Sequence, residues 1–221
     1  MYKACIFDLD GTLTDTLESL TYSVNETLKE LHLPCITSKQ CMSFVGNGAR
    51  YLIEQALQAS GDEKLVHIEE AMEIYKRIFK VNCTYRVAPY EGIVEMLDTL
   101  KQAGVKLAVL SNKPHLQTLD VVATYFAEDT FVDVQGQQEG VPRKPDPTAA
   151  LLIAQKLGVN QTECVYVGDS DVDMQTGKSA GMETVGVTWG FRPKQVLLEQ
   201  GAKHIIDSPK ELISIVKKEQ R

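Results

Sequence analysis

The chain has 221 residues, 43% of them hydrophobic and 24% charged, a balance that excludes a disordered polymer and suits one domain with a large insertion or two small domains. A formal charge of -7 argues against a protein that grips a nucleic-acid backbone, which calls for a basic face, but not against one that takes a small anion beside a bound cation. Cys5, Cys35, Cys41, Cys83 and Cys164 are scattered, with no metal or redox spacing, and read as reduced packing residues.

The first predicted element is a buried strand over residues 3–8, with no charged-then-apolar leader before it. Leu17, Leu20, Val24, Leu28 and Leu31 then recur at three- and four-residue steps, the apolar face of a helix that Pro34 is expected to end. Thr37 to Gln40 has the form of a capping box, and helices are predicted over 49–59 and 62–80. From residue 90 the pattern changes to alternating helices and strands. Helices are predicted at 93–103, 147–157, 173–180 and 194–200, and glycines 104, 158, 181 and 201 stop them. The strands are expected at 105–111, 131–134, 164–168, 184–188 and 204–206.

These elements predict an α/β fold, a Rossmann-like parallel sheet with helices on both faces and ligands beyond the carboxyl ends of its strands. Residues 1–15 and 86–221 would form this core, and residues 16–85 an inserted all-helical cap, hinged near 15–16 and 85–89. No apolar stretch approaches the ~20 residues that span a bilayer, so a soluble, cytoplasmic protein is expected, with no nucleic-acid or membrane partner.

The chemistry-bearing residues fall at strand ends. The first strand runs into Asp8-Leu-Asp-Gly-Thr12, which sets two like charges two residues apart. Such carboxylates raise each other's pKa unless something positive intervenes, and a metal is the simplest remedy. The second strand ends in Ser111-Asn112-Lys113, Lys144 precedes a helix, and the fourth strand ends in Gly168-Asp-Ser-Asp-Val-Asp173. A parallel sheet would gather all of these round one crevice.

In order and spacing these four motifs resemble the haloacid dehalogenase superfamily of phosphohydrolases, most closely its phosphoglycolate phosphatase-like subgroup. Val45-Gly-Asn-Gly48, Val141 to Asp146 and Thr188-Trp-Gly-Phe-Arg192 are also similar to that subgroup, whereas Thr14 stands where an aliphatic residue is usual. The resemblance implies a phosphatase for a small phosphorylated metabolite, 2-phosphoglycolate being the first to try. Asp8 would be the nucleophile that forms an aspartyl-phosphate, and Asp10 the general acid and then base. Mg²⁺ would be held by the Asp8 carboxylate, the Asp10 backbone carbonyl and Asp169, with Asp173 behind them as a residue that orients a ligand or water. Ser111, Asn112 and Lys144 would bind the phosphoryl group, Lys144 also offsetting the charge of Asp8.

Asp171 reads as a solvated helix-start residue, and Trp189 and the four histidines as packing or surface residues. Whether Lys113 and Gly46 to Gly48 touch substrate stays open, as does a monomer against a homodimer. Inorganic pyrophosphatase, a β-phosphoglucomutase-like mutase and a catalytically silent binding module are the competing functions. The intact acids and Lys144 disfavour the last. A phosphonatase would need a cap lysine, and Lys39, Lys64, Lys76 and Lys80 carry no distinguishing feature.

Overall fold

The computed structural model describes residues 1–217; the last four residues of the expected core lie outside the described residues. Six strands form one sheet: β1 (Ala4–Phe7), β4 (Lys106–Pro114), β5 (Asp133–Gln137), β6 (Cys164–Gly168), β7 (Glu183–Val187) and β8 (His204–Ile206). Their order is β5-β4-β1-β6-β7-β8, and every neighbouring pair is parallel. β1 lies in the middle and is buried on both faces, which is why it reads as an unbroken apolar run. Its two-residue period still sorts the core. Ala4 and Ile6 pack with Ala150 and Ile153 of α7 (Thr148–Lys156). Cys5 and Phe7 pack with Leu97 of α5 (Ile93–Gln102) and Leu212 of α10 (Lys210–Lys217).

After β1 the chain crosses into four helices and back. The two crossings lie side by side as a short antiparallel pair, β2 (Thr14–Asp15) with β3 (Ala88–Pro89). Between them run α1 (Leu17–Glu30), α2 (Ser38–Phe44), α3 (Gly48–Ala59) and α4 (Ile68–Asn82). Leu20, Val24 and Leu28 of α1 and Tyr75 and Phe79 of α4 are buried in the same cluster as Phe7, Leu9 and Leu13, so the cap and the face of the sheet share one core. Burying each such side chain stabilises the assembly by roughly 1.5–3 kcal/mol relative to exposure. The capping box at Thr37 forms, its Oγ1 accepting from Gln40 N while Gln40 Oε1 accepts from Thr37 N.

Several boundaries move. The helix expected over 62–80 starts at Ile68, because Asp62 accepts from Val66 N and His67 N and holds the preceding residues in a turn, with Leu65 at φ +55°. α1 stops at Glu30, where His32 takes φ +58° and Leu33 N returns to Leu28 O, so the turn precedes Pro34. The strand expected at 131–134 is β5, two residues later, since Phe131 turns in to pack edge-on against Phe126. Two helices were not expected. α6 (His115–Tyr125) leaves Leu116 and Leu119 exposed opposite its buried face, which blurs its period, and α10 is short. The connection from β6 to β7 carries α8 (Asp171–Ser179), and that from β7 to β8 carries α9 (Lys194–Gln200). The five cysteines are free, and no helix among the described residues is long and apolar enough to cross a membrane.

Candidate active site

The carboxyl ends of β1, β4 and β6 meet beneath the cap, as expected for a crevice in a parallel sheet. Asp8 stays in register with β6 through its N–H to Val167 O (2.9 Å), and the chain then turns sharply. Gly11 makes that turn at φ +83°, its N–H donating to Thr14 O (2.9 Å). A Cβ on Gly11 would collide with Asp169 Oδ2, and one on Gly190 with Asp169 Cβ. Two glycines thus let backbone close on one buried carboxylate. Asp169 is also held by Thr12 Oγ1 at Oδ1 (3.1 Å) and by Phe191 N at Oδ2 (2.7 Å).

Lys144 reaches the centre of the acids. Its Nζ lies 2.9 Å from Asp8 Oδ1, 2.7 Å from Asp173 Oδ1 and 3.0 Å from Leu110 O. Asp173 is fully buried, and its Oδ2 accepts from the N–H and the hydroxyl of Ser170, the residue that caps α8. Asp8 Oδ1 is buried and accepts no well-aligned hydrogen bond; the Lys144 ammonium is its ionic neighbour. The carboxylate of Asp10 turns the other way and pairs with Lys113 Nζ at 2.9 Å. Ser111 lies at the end of β4 and lines the same cleft, its Oγ accepting from Lys113 N (3.3 Å).

Asn112, expected to touch substrate, has its side chain spent on backbone. Its Nδ2 donates to Gly46 O (2.9 Å) and Lys144 O (3.0 Å), and its Oδ1 accepts from Lys144 N (2.9 Å). That geometry makes it a clamp that fixes the Lys144 loop and the cap turn to the end of β4. Asp171 is not simply solvated, since Arg192 Nε lies 3.6 Å from its Oδ1.

The electrostatics follow from burial. Burial and the charge of Asp173 push Asp8 well above the ordinary carboxylate range, against the pull of Lys144. Burial and Asp173 likewise push Asp169 up to about 7. Burial alone would lower Lys144, but Asp173 and Asp8 together outweigh it and hold the ammonium well above its usual range. One oxygen each from Asp8, Asp169 and Asp173 lies within 4.8 Å of the others, all three residues buried. An all-oxygen donor set with excess negative charge and an unaligned buried oxygen on Asp8 fits a hard divalent cation such as Mg²⁺. Asp173 belongs to this cluster by distance, yet both of its oxygens already have protein partners, Lys144 and Ser170.

The family model described as haloacid dehalogenase-like hydrolase matches residues 5–187. The chain belongs to the haloacid dehalogenase-like hydrolases. Among relatives of this hydrolase are the phosphoglycolate phosphatases of Colwellia psychrerythraea, 31% identical over 98% of this chain and 97% of the relative, and of Haemophilus influenzae, 31% identical over 97% and 98%. A crystal structure of a predicted phosphoglycolate phosphatase from Haemophilus somnus superposes with a TM-score of 0.89 at 29% identity, covering 98% of both chains. By fold and family the enzyme is a phosphatase.

Sequence reasoning gave three residues of this hydrolase's site no role. Thr12, Ser170 and Arg192 all lie inside sequence motifs, and only the fold shows that the hydroxyls of the first two hold Asp169 and Asp173. Arg192 reaches from the loop after β7 to the cap, where its guanidinium donates to Met42 O (2.9 Å) and Val45 O (2.5 Å). Nothing in local sequence points to that contact, which spans about two-thirds of the chain.

Proposed function

We propose that the enzyme hydrolyses the phosphate ester of a small metabolite, 2-phosphoglycolate being the first candidate, through a phosphorylated Asp8. The observation that carries this reading is the meeting of Asp8, Asp169 and Asp173 with Lys144 in one buried cluster, Asp10 standing beside it on Lys113. Asp8 would attack phosphorus in line while Asp10 gives its proton to the departing oxygen, so the oxygen–phosphorus bond to Asp8 forms as the ester bond breaks. Asp10 would then take a proton from the water that opens the aspartyl-phosphate, which frees Asp8 and releases phosphate.

Lys144 restrains the charge on Asp8 throughout, and Ser111 with nearby backbone donors would hold a phosphoryl oxygen. Mg²⁺, held by the carboxylates of Asp8 and Asp169 and the Asp10 carbonyl, would offset the negative charge of the transferred group. Asp173 would act behind these ligands by fixing Lys144 and Ser170.

Residues 16–85 would serve as a cap that excludes bulk water and selects the leaving group, and residues 1–15 and 86–221 as the catalytic core. A phosphate-release screen over phosphoglycolate, pyrophosphate, hexose phosphates and nucleoside monophosphates tests the substrate. Asp8→Asn should release no phosphate while keeping the wild-type fold by circular dichroism. Turnover in that variant would remove the covalent scheme.

A further inference from the structure

Among the described residues three side-chain cations line the cleft, and two of them are taken up by protein groups. Lys144 donates to Asp173 Oδ1 and Leu110 O and stands in ion-pair contact with Asp8. Arg192 is spent on the carbonyls of Met42, Ser43 and Val45, with Asp171 beside its Nε. Lys113 differs. Its side chain is 1% exposed; its Nζ donates to Asp10 Oδ1 and stands 4.8 Å from the centre of the Phe79 ring of α4. A carboxylate and a ring face account for two of its three hydrogens.

The position of Lys113 fixes which part of a substrate it could meet. Ser111 and Lys144 stand with Asp8 on the phosphoryl side, whereas Asp10 faces the departing oxygen in the mechanism above. An ammonium 2.9 Å from Asp10 therefore belongs to the leaving group's half of the cleft. The cap closes that half with Leu20, Val45, Leu52, Tyr75 and Phe79, which bring no cation. The cleft holds about 550 Å³ of empty space, part of it open to solvent, within the usual range for a small-ligand site.

We propose that Lys113 is a specificity-determining residue whose remaining hydrogen is donated to a carboxylate on the leaving group, selecting short phosphorylated acids over phosphate esters with uncharged leaving groups. A second phosphate, with more charge than a single ammonium matches, is a poorer fit. The inference rests on the reading that Asp8 is phosphorylated and Asp10 serves the leaving oxygen.

The test compares kcat/KM with Mg²⁺ for 2-phosphoglycolate and for 2-hydroxyethyl phosphate, an analogue of the same length whose leaving group carries no charge, in the wild type, Lys113→Met and Lys113→Arg. The wild type should prefer the acid by about tenfold or more, the effect of one charge-assisted hydrogen bond in a buried site. Lys113→Met should bring that ratio close to one, chiefly through KM for the acid, and Lys113→Arg should keep most of it. Any loss through the Asp10 contact affects both esters and cancels in the ratio. A ratio unchanged in Lys113→Met overturns the inference, as does a wild type that prefers 2-hydroxyethyl phosphate or hydrolyses neither.

A second measurement needs no variant. 3-Phosphonopropionate should inhibit the wild type about tenfold more strongly than propylphosphonate, since the two differ in the carboxylate, and equal inhibition also refutes the assignment. Failure of the underlying mechanism shows separately, as turnover by Asp8→Asn.

Discussion

Replacing Lys144 with Met keeps most of the side chain's volume and removes its charge. The side chain is 2% exposed and its ammonium serves Asp8, Asp173 and the carbonyl of Leu110, so the variant leaves two buried carboxylates without their cation. Breaking a buried pair in this way costs about 3–5 kcal/mol. Urea denaturation near neutral pH in chelator should show a loss of that size. The cost should shrink as pH falls: Asp8 already holds its proton more tightly folded than unfolded, removing Lys144 strengthens that preference, and a protonated Asp8 needs no counter-charge. Added Mg²⁺ should recover part of the loss by replacing positive charge at the same oxygens. In a double-mutant cycle with Asp173→Asn the two losses should not add, because the residues are in contact. A loss below about 1 kcal/mol, flat with pH, would refute the view that Lys144 is what holds these acids together.

Much of this site was legible because its residues sit at strand ends, and strands such as Cys164–Gly168 stand out as short buried runs. The sequence order of Asp8, Ser111, Lys144 and Asp169 was enough to place them round one crevice once a parallel sheet was expected. What could not be read were contacts made by side-chain geometry across long separations. Asn112 carries no mark that its amide will be used up on the Lys144 loop and Gly46. Lys113 and Asp10 are 103 residues apart and gave no pairing signal. The β2–β3 pair is two residues long on each side, too short for strand propensity to register, and is fixed by the chain's need to leave and re-enter the core at one place. β5 was displaced because its Gln135, Gly136 and Gln137 sit on an edge strand, where the apolar signal fades.

Asn112→Ala should destabilise the protein by about 2–3 kcal/mol, since three backbone groups lose a buried partner, and should lower kcat as the Lys144 loop loosens; thermal melts and steady-state kinetics check both. Asp169 titrates at about 7 without metal and must lose its proton to bind a cation, so Mg²⁺ affinity should fall by up to about tenfold per pH unit below that value in calorimetry. For the same reason the folded state keeps a proton that the unfolded chain has already released between the ordinary aspartate range and about 7. Metal-free stability should therefore decline as pH rises through that window, and Mg²⁺ should reverse the trend.

The central claim is that Asp8 becomes covalently phosphorylated among these acids. Rapid acid quench of the enzyme during turnover with Mg²⁺, followed by mass spectrometry of its peptides, tests it most directly. The account predicts an added phosphoryl group on the peptide bearing Asp8, absent in Asp8→Asn and absent in chelator. Rapid turnover with every trapped phosphoryl group on another residue would contradict it.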